Sequence, residues 1–170
     1  AAALAVNSAR AGHQVVVVTS AMSGVTDKLI GAAKNAVNGQ YHKTVSDEIY
    51  EPHRLALHEL TPNDARRRLE ALESLRQKIE RLDTLFYGLT MLRELTPRTL
   101  DAISGMGEML CAPILSGAIA ELGVGSQSIE ATELIVTDDQ FGQAEPLMAE
   151  TRQQTRNKLL PMLEAGEIPV

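Results

Sequence analysis

Cysteine and aromatic residues are scarce in this sequence, and each shortage excludes a class of protein. The 170 residues include one cysteine, Cys111, no tryptophan and only 3% aromatic residues. A single cysteine excludes an intramolecular disulfide framework and a cysteine-based zinc site. So few aromatic side chains argue against a stacking platform for single-stranded nucleic acid.

Long apolar runs and a leader pattern are also missing. We expect no apolar run to reach the roughly 20 residues of a membrane span. The first residues include Asn7, Ser8 and Arg10, which is not the pattern of a signal peptide. These absences predict a cytoplasmic protein with no membrane partner.

Basic residues are few in the second half of the chain. The formal net charge is -6, and residues 101–170 hold 3 Lys and Arg against 11 Asp and Glu. Residues 1–100 hold 13 Lys and Arg against 11 Asp and Glu. The net charge is therefore +2 for residues 1–100 and -8 for residues 101–170. Because a nucleic-acid binder needs a basic surface, an acidic half predicts no nucleic-acid partner. A solvated acidic surface explains the imbalance.

The length fits one domain, but the pattern at the two ends does not fit a complete one. The opening, Ala1–Ala11, has the character of a helix that Gly12 stops, and Ile168–Val170 has the character of a strand that is just beginning. We therefore expect the 170 residues to be part of a larger domain.

The first forty residues have the order of a layered α/β fold. Four consecutive valines in Gln14–Thr19 predict a strand buried on both faces, as in a parallel sheet. A loop of small residues, Ser20–Asp27, follows it. Apolar residues at helical spacing then predict a helix over Val25–Val37. Helix, strand, loop and helix in this order indicate α/β layers.

The next stretch, about residues 41–95, predicts a helical insertion. Tyr41–Leu60 has an intermittent helical pattern, and Thr61–Pro62 predicts a helix start with Thr61 as the N-cap. Arg66–Arg68 alternate with glutamates farther along, which favours a solvated face over a nucleic-acid helix. A single apolar stripe runs along the predicted helix: Leu69, Leu72, Leu75, Ile79, Leu82, Leu85 and Phe86.

The last part of the chain returns to mixed structure without a domain boundary. Thr96–Pro97 predicts a second helix start, and Pro113 predicts a kink or a late start in the longer helix that follows. The predicted helices are Arg98–Ser104, Gly107–Leu122 and Met148–Ala165, and the predicted strands are Ser126–Glu130, Leu134–Thr137 and the segment from Ile168.

The loop after the valine run is the strongest local candidate for a binding site. Small residues there let a ligand approach the backbone closely, and the helix behind them offers free N–H groups to an anion. The residues concerned are Ser20, Ala21, Ser23, Gly24 and Thr26. A tight turn with Ser23 as helix cap is the structural alternative. The sequence pattern of a P-loop is absent.

Glu108 is the second candidate. It follows Ser104-Gly-Met-Gly and begins an apolar helix, so we expect a partly buried carboxylate. A buried carboxylate is costly without a partner, and the ammonium group of a ligand would serve as one. The alternative is an acidic residue that merely favours a helix N-terminus.

Other polar residues are weaker candidates. We expect His42, His53 and His58 to be surface histidines, and Cys111 to be a small packed apolar residue. Asp138–Asp139 has the chemistry of a magnesium site, but an acidic turn between strands is the favoured interpretation.

Several segments together resemble the aspartate kinases. Val15–Asp27 is similar to the first conserved loop of that family, and Ser104–Leu110 is similar to its Ser-x-Gly-Glu-x-Leu segment. The segments Leu122–Val124, Asp138–Gly142 and Glu164–Val170 fit the family's order as well. Neither Val15–Asp27 nor Ser104–Leu110 would be specific for the family alone, but the two motifs at this spacing are specific.

This resemblance implies a fold and an activity. The fold is the amino-acid kinase fold, a three-layer α/β/α sandwich, of which residues 1–170 would be a partial domain. The activity is transfer of the γ-phosphoryl group of ATP, with Mg²⁺, to the side-chain carboxylate of L-aspartate. That step leads to lysine, threonine and methionine. The intact protein would be a homo-oligomer.

The resemblance also implies roles for individual residues. Ser20, Ala21 and Thr26 would contact aspartate near the transferring phosphoryl group, with Ser23 and Gly24 in the same loop. Glu108 would bind the amino group of the substrate. No metal ligand and no catalytic residue is expected in these 170 residues.

The sequence departs from the family pattern in two ways. The Lys-Phe-Gly-Gly segment, whose lysine neutralises the transferring phosphates in the family, is absent, and no lysine lies in a Gly-rich context. The Arg-Gly-Gly-Ser-Asp segment that grips the substrate carboxylate is absent too. We therefore expect the chain alone to be inactive.

Two alternatives stay open on the sequence alone. One is another amino-acid kinase, acting on glutamate or on a nucleoside monophosphate. The other is a non-catalytic binding module or pseudokinase.

Overall fold

A computed structural model describes all residues of the chain, Ala1–Val170. Helices dominate it, and the sheet is reduced to two short strands. The helices are α1 (Ala2–Arg10), α2 (Val25–Val37), α3 (Thr44–Leu60), α4 (Ala65–Leu92), α5 (Pro97–Ser104), α6 (Met106–Glu121) and α7 (Met148–Glu164); the strands are β1 (Ser126–Gln127) and β2 (Ile168–Pro169). The predicted bounds of α2 are confirmed, and those of α1, α5, α6 and α7 are met within one or two residues.

Helix α6 lies at the centre of the protein. Its residues Met106, Leu110 and Ile114 belong to a large core shared with α2, α3, α4 and α5, in which Phe86 is the largest fully buried side chain. Ile119, near its other end, belongs to a second core with residues of α1 and β2. A helix that is apolar on nearly every side is buried on nearly every side, which explains its composition.

The apolar stretch around α6 corrects one expectation from the sequence. By length and composition alone, Pro97–Glu121 is long and apolar enough to cross a membrane. Two helices, α5 and α6, share this stretch, and half of its most apolar window is buried inside the protein. Its apolar residues therefore serve the core described above.

The two strands, β1 and β2, are parallel. Ser126 pairs with Ile168, and Gln127 pairs with Pro169. Flanking hydrogen bonds continue the pairing, since the Ile129 N–H donates to the Val170 carbonyl at 2.8 Å. The predicted strand Ser126–Glu130 is thus shorter than expected.

The valine run does not form the buried strand that the sequence predicts. It is extended beside β2 but makes one backbone hydrogen bond to it, from Val17 N–H to the Pro169 carbonyl at 2.9 Å. Val15 and Val17 pack on the second core, whereas Val16 and Val18 are 44% and 93% exposed. The prediction of burial on both faces was wrong because only one face is covered within this chain.

Helices α3 and α4 form a hairpin over the range of the predicted insertion, and its turn differs from the prediction. Thr61 is buried and ends α3, and its hydroxyl donates to the Leu57 carbonyl at 2.6 Å. Helix α4 begins three residues later than predicted, with Asp64 as its N-cap. Thr61 cannot cap α4 because its hydroxyl is bonded back to α3.

A hydroxyl–carboxylate cluster fastens the hairpin. The Tyr41 hydroxyl donates to Asp83 Oδ1 at 2.5 Å, and the buried Ser46 hydroxyl donates to the same oxygen. Burial, followed by the hydrogen bond to Asp83, raises the pKa of Tyr41 to about 12. Of the predicted apolar stripe on α4, Leu75, Ile79, Leu82 and Phe86 are buried, but Leu69 is 67% exposed.

Two further expectations are corrected. Leu134–Thr137 does not form a strand; a 3-10 turn at Ala131–Glu133 precedes it, and a single bridge pairs Thr137 with Pro146. His53 is not a surface histidine but is fully buried in α3. The one-sided pattern around His53 fits its burial, since Ile49 and Leu57 on either side are buried as well.

Candidate functional site

The small-residue loop connects the valine run to α2 through a left-handed glycine. Gly24 has φ +77° and is the N-cap residue, with α2 beginning at Val25. No side chain caps this helix end, so the alternative interpretation of Ser23 as a cap is wrong. Glycine adopts this conformation without the steric cost that other residues meet. Ser23 and Gly24 are both exposed.

The first turn of α2 leaves donors free at this loop. The Thr26 and Asp27 N–H groups donate to no acceptor within the protein, as expected for the first turn of a helix. The Thr26 side chain is half-buried and makes no hydrogen bond within the protein. This end of the helix therefore offers backbone N–H groups and a hydroxyl to an anionic group.

Glu108 reaches this loop from the first turn of α6. Its Oε1 accepts a hydrogen bond from the Ala21 N–H at 3.3 Å and from the Ser20 hydroxyl at 3.5 Å. None of the protein's ion pairs includes Glu108. The structure thus brings Glu108 together with two predicted site residues, Ser20 and Ala21, from which it is 88 and 87 positions away in the chain. The expected partial burial of Glu108 is confirmed.

Gly107 also contributes to this contact, and the sequence analysis did not single it out. A Cβ atom at Gly107 would lie 2.6 Å from the Cβ of Ala21. The glycine therefore permits the close approach of the loop to α6. Its position beside Glu108 was visible in the sequence, but nothing there indicated which residue it would touch.

A cleft of about 530 Å³ opens beside Glu108, and we call it the Glu108 cleft. Glu108 and Met109 line it from α6, and Thr19 lines it from the end of the valine run. The residues that follow β1 and the end of β2 complete the wall: Ser128, Ile129, Pro169 and Val170. The cleft thus lies at the carboxyl ends of the strands, where open α/β sheets bind their ligands.

Two cations from α4 also line the Glu108 cleft. Lys78 is 19% exposed and forms an ion pair of 3.1 Å with Glu130, and Arg81 lies one turn farther along the helix. Sequence analysis considered only Arg66–Arg68 among the cations of this helix and missed both Lys78 and Arg81. Their only sequence signal is that each directly precedes a residue of the buried stripe, Ile79 or Leu82.

A larger cleft, of about 680 Å³, contains none of the predicted site residues. It lies between α4 and α6, and its wall includes Gly125, Ser126 and Glu167, next to the amino ends of β1 and β2. Volume alone therefore does not identify the functional site. The position of Glu108 and the direction of the strands favour the smaller cleft.

The weaker candidates have structural roles or no cluster around them. Asp138 Oδ1 accepts hydrogen bonds from the Gln140 and Glu145 N–H groups, so the favoured interpretation of an acidic turn fits. No group of three or more His, Cys, Asp or Glu side chains is arranged to hold a metal ion. Cys111 is half-buried, with its Sγ 3.5 Å from Thr19 Oγ1.

Comparison with known proteins agrees with this geometry. The sequence matches the amino acid kinase family over residues 1–170. It is 30% identical over 139 residues to the chloroplastic aspartokinase 2 of Arabidopsis thaliana, a match that covers 79% of this chain. It is 25% identical over 129 residues to the aspartokinase of Candida albicans, covering 72% of this chain. These matches span 24% and 23% of the lengths of the two relatives.

Solved structures show the same fold. The crystal structure of Escherichia coli aspartokinase III in complex with aspartate and ADP, in the R-state, superposes with a TM-score of 0.72 at 24% identity. The T-state structure of that enzyme, in complex with lysine and aspartate, gives a TM-score of 0.69 at 20% identity. Both cover 96% of this chain, and they span 36% and 35% of the solved chains. The expected fold, an incomplete α/β sandwich, is confirmed.

Proposed function

The chain belongs to the amino acid kinase family, and we propose that it forms the aspartate-binding part of an aspartate kinase. The proposed reaction is attack of the side-chain carboxylate of L-aspartate on the γ-phosphorus of ATP, with ADP as the leaving group. The chain spans about a quarter of the length of the curated aspartokinases it matches. The activity is therefore proposed for a longer protein that contains this segment.

The contact between Glu108 and the loop at Ser20–Gly24 carries the proposal. It holds a carboxylate without a cationic partner beside free N–H groups and hydroxyls. An α-amino acid with an acidic side chain is complementary to both, because its ammonium needs a carboxylate and its carboxylate needs donors. The aspartate and ADP of the R-state neighbour support an acidic amino acid and an adenine nucleotide as the ligands.

Each residue then has a defined task. Glu108 holds the ammonium group of aspartate, and its tie to Ala21 N–H keeps the carboxylate oriented. The Ser20 and Thr26 hydroxyls and the N–H groups of the α2 first turn face the acceptor carboxylate and the arriving phosphoryl group, with Ser23 and Gly24 leaving room. Phosphoryl transfer relies on positioning and charge neutralisation, which these groups provide in part.

ATP and Mg²⁺ bind together as the nucleotide substrate of the proposed reaction. The residues present form no metal cluster of their own, so we propose that Mg²⁺ arrives held by the phosphate oxygens of ATP, as is usual for this ion.

The wider setting is also part of the proposal. We propose that the longer protein acts in the cytoplasm, as a homo-oligomer, at the entry to lysine, threonine and methionine synthesis. The pathway follows from the proposed aspartate kinase activity, and the acidic composition with few aromatics supports the absence of nucleic-acid partners.

Substitution of Glu108 in the longer protein tests the proposal. We expect Glu108→Gln and Glu108→Ala to raise KM for aspartate by roughly 10- to 100-fold, the equivalent of one charge-assisted hydrogen bond of about 1.5–3 kcal/mol. KM for ATP should change less than about twofold, since Glu108 is assigned to the amino acid. Initial rates of ADP formation measure both constants.

The control is Glu94→Gln, which removes the same charge from an exposed side chain without a hydrogen bond. Its kinetic constants should match those of the unaltered protein. Glutamate and nucleoside monophosphates serve as alternative acceptors. Faster turnover with one of these than with aspartate, or an unchanged aspartate KM in both Glu108 variants, would contradict the proposal.

A further inference from the structure

We propose that Gly107 is a positioning residue for this site. Because it has no side chain, the loop at Ser20–Gly24 can sit directly on α6 and hold the Glu108 carboxylate. The inference rests on the proposed function, which assigns the substrate ammonium to Glu108. It adds a residue to which neither the family resemblance nor the site chemistry gives a role.

The space at Gly107 is smaller than a methyl group. A Cβ atom there would lie 2.6 Å from Ala21 Cβ and 3.4 Å from Val25 Cγ1. Real Cβ atoms essentially never approach another heavy atom closer than 3.0 Å. The contact at 2.6 Å is to a methyl fixed on the backbone of the loop, so the loop itself would have to move.

Backbone conformation does not explain the glycine. Gly107 is the second residue of α6 and is absent from the glycines with positive φ. A glycine is less favourable than alanine in a helix, and here the compensation is the close approach of Ala21. Two other helical glycines, Gly31 and Gly88, have nothing within 4 Å of an added Cβ.

The neighbouring contact is sensitive to such a movement. Ala21 carries both groups concerned, because its methyl touches Gly107 and its N–H donates to Glu108 Oε1. That hydrogen bond is already 3.3 Å long and the one from Ser20 is 3.5 Å, near the limit for such bonds. A shift of a few tenths of an ångström would break them and release the carboxylate.

The loop and the ammonium group of the substrate therefore bind the same carboxylate, that of Glu108. Oε1 of Glu108 is taken by the loop, and Oε2 has no partner in the protein. With Oε1 held, Oε2 is the oxygen left to accept from the ammonium. Gly107 thereby couples the placement of the loop to the orientation of the amino-acid site.

A pair of substitutions tests this inference in the longer protein. Gly107→Ala should lower kcat/KM for aspartate by roughly 10- to 100-fold, as expected when reacting groups are displaced by up to about 1 Å. KM for ATP should stay within about twofold. Adding Ala21→Gly removes the methyl that clashes, so the double variant should recover to within about threefold of Ala21→Gly alone. Such a non-additive effect is what two residues in contact produce.

Gly88→Ala is the matched control, a glycine-to-alanine change inside a helix with open space around it. It should leave all kinetic constants unchanged. Retention of full kcat/KM in Gly107→Ala, or failure of Ala21→Gly to restore it, would overturn the inference. If Gly107→Ala does not fold, as judged by circular dichroism, the double variant still decides, because it must fold and turn over.

The same experiment separates the two proposals. If the unaltered protein forms no ADP in the presence of aspartate, the proposed function fails, whatever Gly107 does. If it turns over aspartate and the rescue is absent, the proposed function stands and the positioning role fails.

Discussion

Glu108 and His53 each have one polar side-chain atom bonded within the protein and one without a partner. The surroundings of the unpaired atom decide what each side chain can do. Glu108 reaches a loop N–H and a hydroxyl and keeps one oxygen free at a cleft. His53 is fully buried; its Nδ1 lies 2.6 Å from the Ile49 carbonyl and its Nε2 has no partner. The first arrangement suits a ligand, whereas the second only suits a neutral ring.

His53 predicts a pH dependence of stability. Burial lowers its pKa below the ordinary value near 6.5, against the opposing effect of the Ile49 carbonyl. The unfolded chain therefore binds a proton more readily than the folded protein, and stability falls as the pH drops below about 6.5. Between pH 7.5 and 5.5 we expect a loss of up to roughly 1.4 kcal/mol in the free energy of unfolding from this residue.

Urea denaturation at the two pH values measures this loss. His53→Gln, which stays neutral and keeps a donor, should reduce the difference between the two pH values by that amount. His58→Gln alters an exposed histidine of the same helix and should keep the pH dependence of the unaltered protein. An equal pH dependence in the protein and its His53→Gln variant would contradict the assignment.

Helix boundaries, at the scale of elements, depend on which side chain caps them. Helix α4 begins where Asp64 Oδ1 accepts from the Arg67 N–H at 2.9 Å. Glu121, the last residue of α6, accepts from the Asn63 and Asp64 N–H groups at 3.0 and 3.2 Å. The end of one core helix thus fixes the start of another, and the hairpin that supports Lys78 and Arg81 is placed relative to α6.

Removal of the α4 cap tests this arrangement. We expect Asp64→Ala to lower the free energy of unfolding by about 1 kcal/mol, the usual cost of losing an N-cap side chain. Asp64→Asn should lose only a few tenths, since its amide oxygen still accepts from the Arg67 N–H. Asp139→Ala, which removes the same charge from an exposed turn, is the control and should be neutral. A cost for Asp139→Ala equal to that of Asp64→Ala would indicate a charge effect and not capping.

The whole molecule combines a well-filled helical core with a valine run that is covered on one face only. Sixteen buried residues form the main core, whereas the valine run leaves Val18 almost fully exposed. The Ser20–Gly24 loop contacts α6 at Gly107 and Glu108, on the side of the main core. Packed helices therefore support the candidate site, although the Glu108 cleft lies at the carboxyl ends of the two strands.

Turnover depends on groups that neutralise the charge of the transferring phosphates. The 170 residues contain neither of the family's two charged glycine-rich segments, and phosphoryl transfer requires neutralisation of the phosphate charge. We expect the 170-residue chain with ATP, Mg²⁺ and aspartate to form no ADP above a protein-free control. The longer protein serves as the positive control, and steady ADP formation by the chain alone would contradict the expectation.

Much of the helical framework and the identity of the candidate site follow from the sequence. The helix Val25–Val37 is apparent from its apolar spacing, and the loop after the valines and Glu108 are apparent from residue type and motif. Local pattern suffices in these places because helix periodicity and the conformational freedom of small residues are properties of short segments.

Contacts between distant segments were decided only by the tertiary structure. The sequence alone did not reveal that Ala21 closes on Gly107 or that Lys78 and Arg81 face the Glu108 cleft. The sequence also predicted an exposed His53 and a buried Val18, whereas His53 is buried and Val18 is exposed. Composition and spacing determine what a segment prefers, whereas burial and hydrogen-bond partners depend on which other segment comes to lie against it.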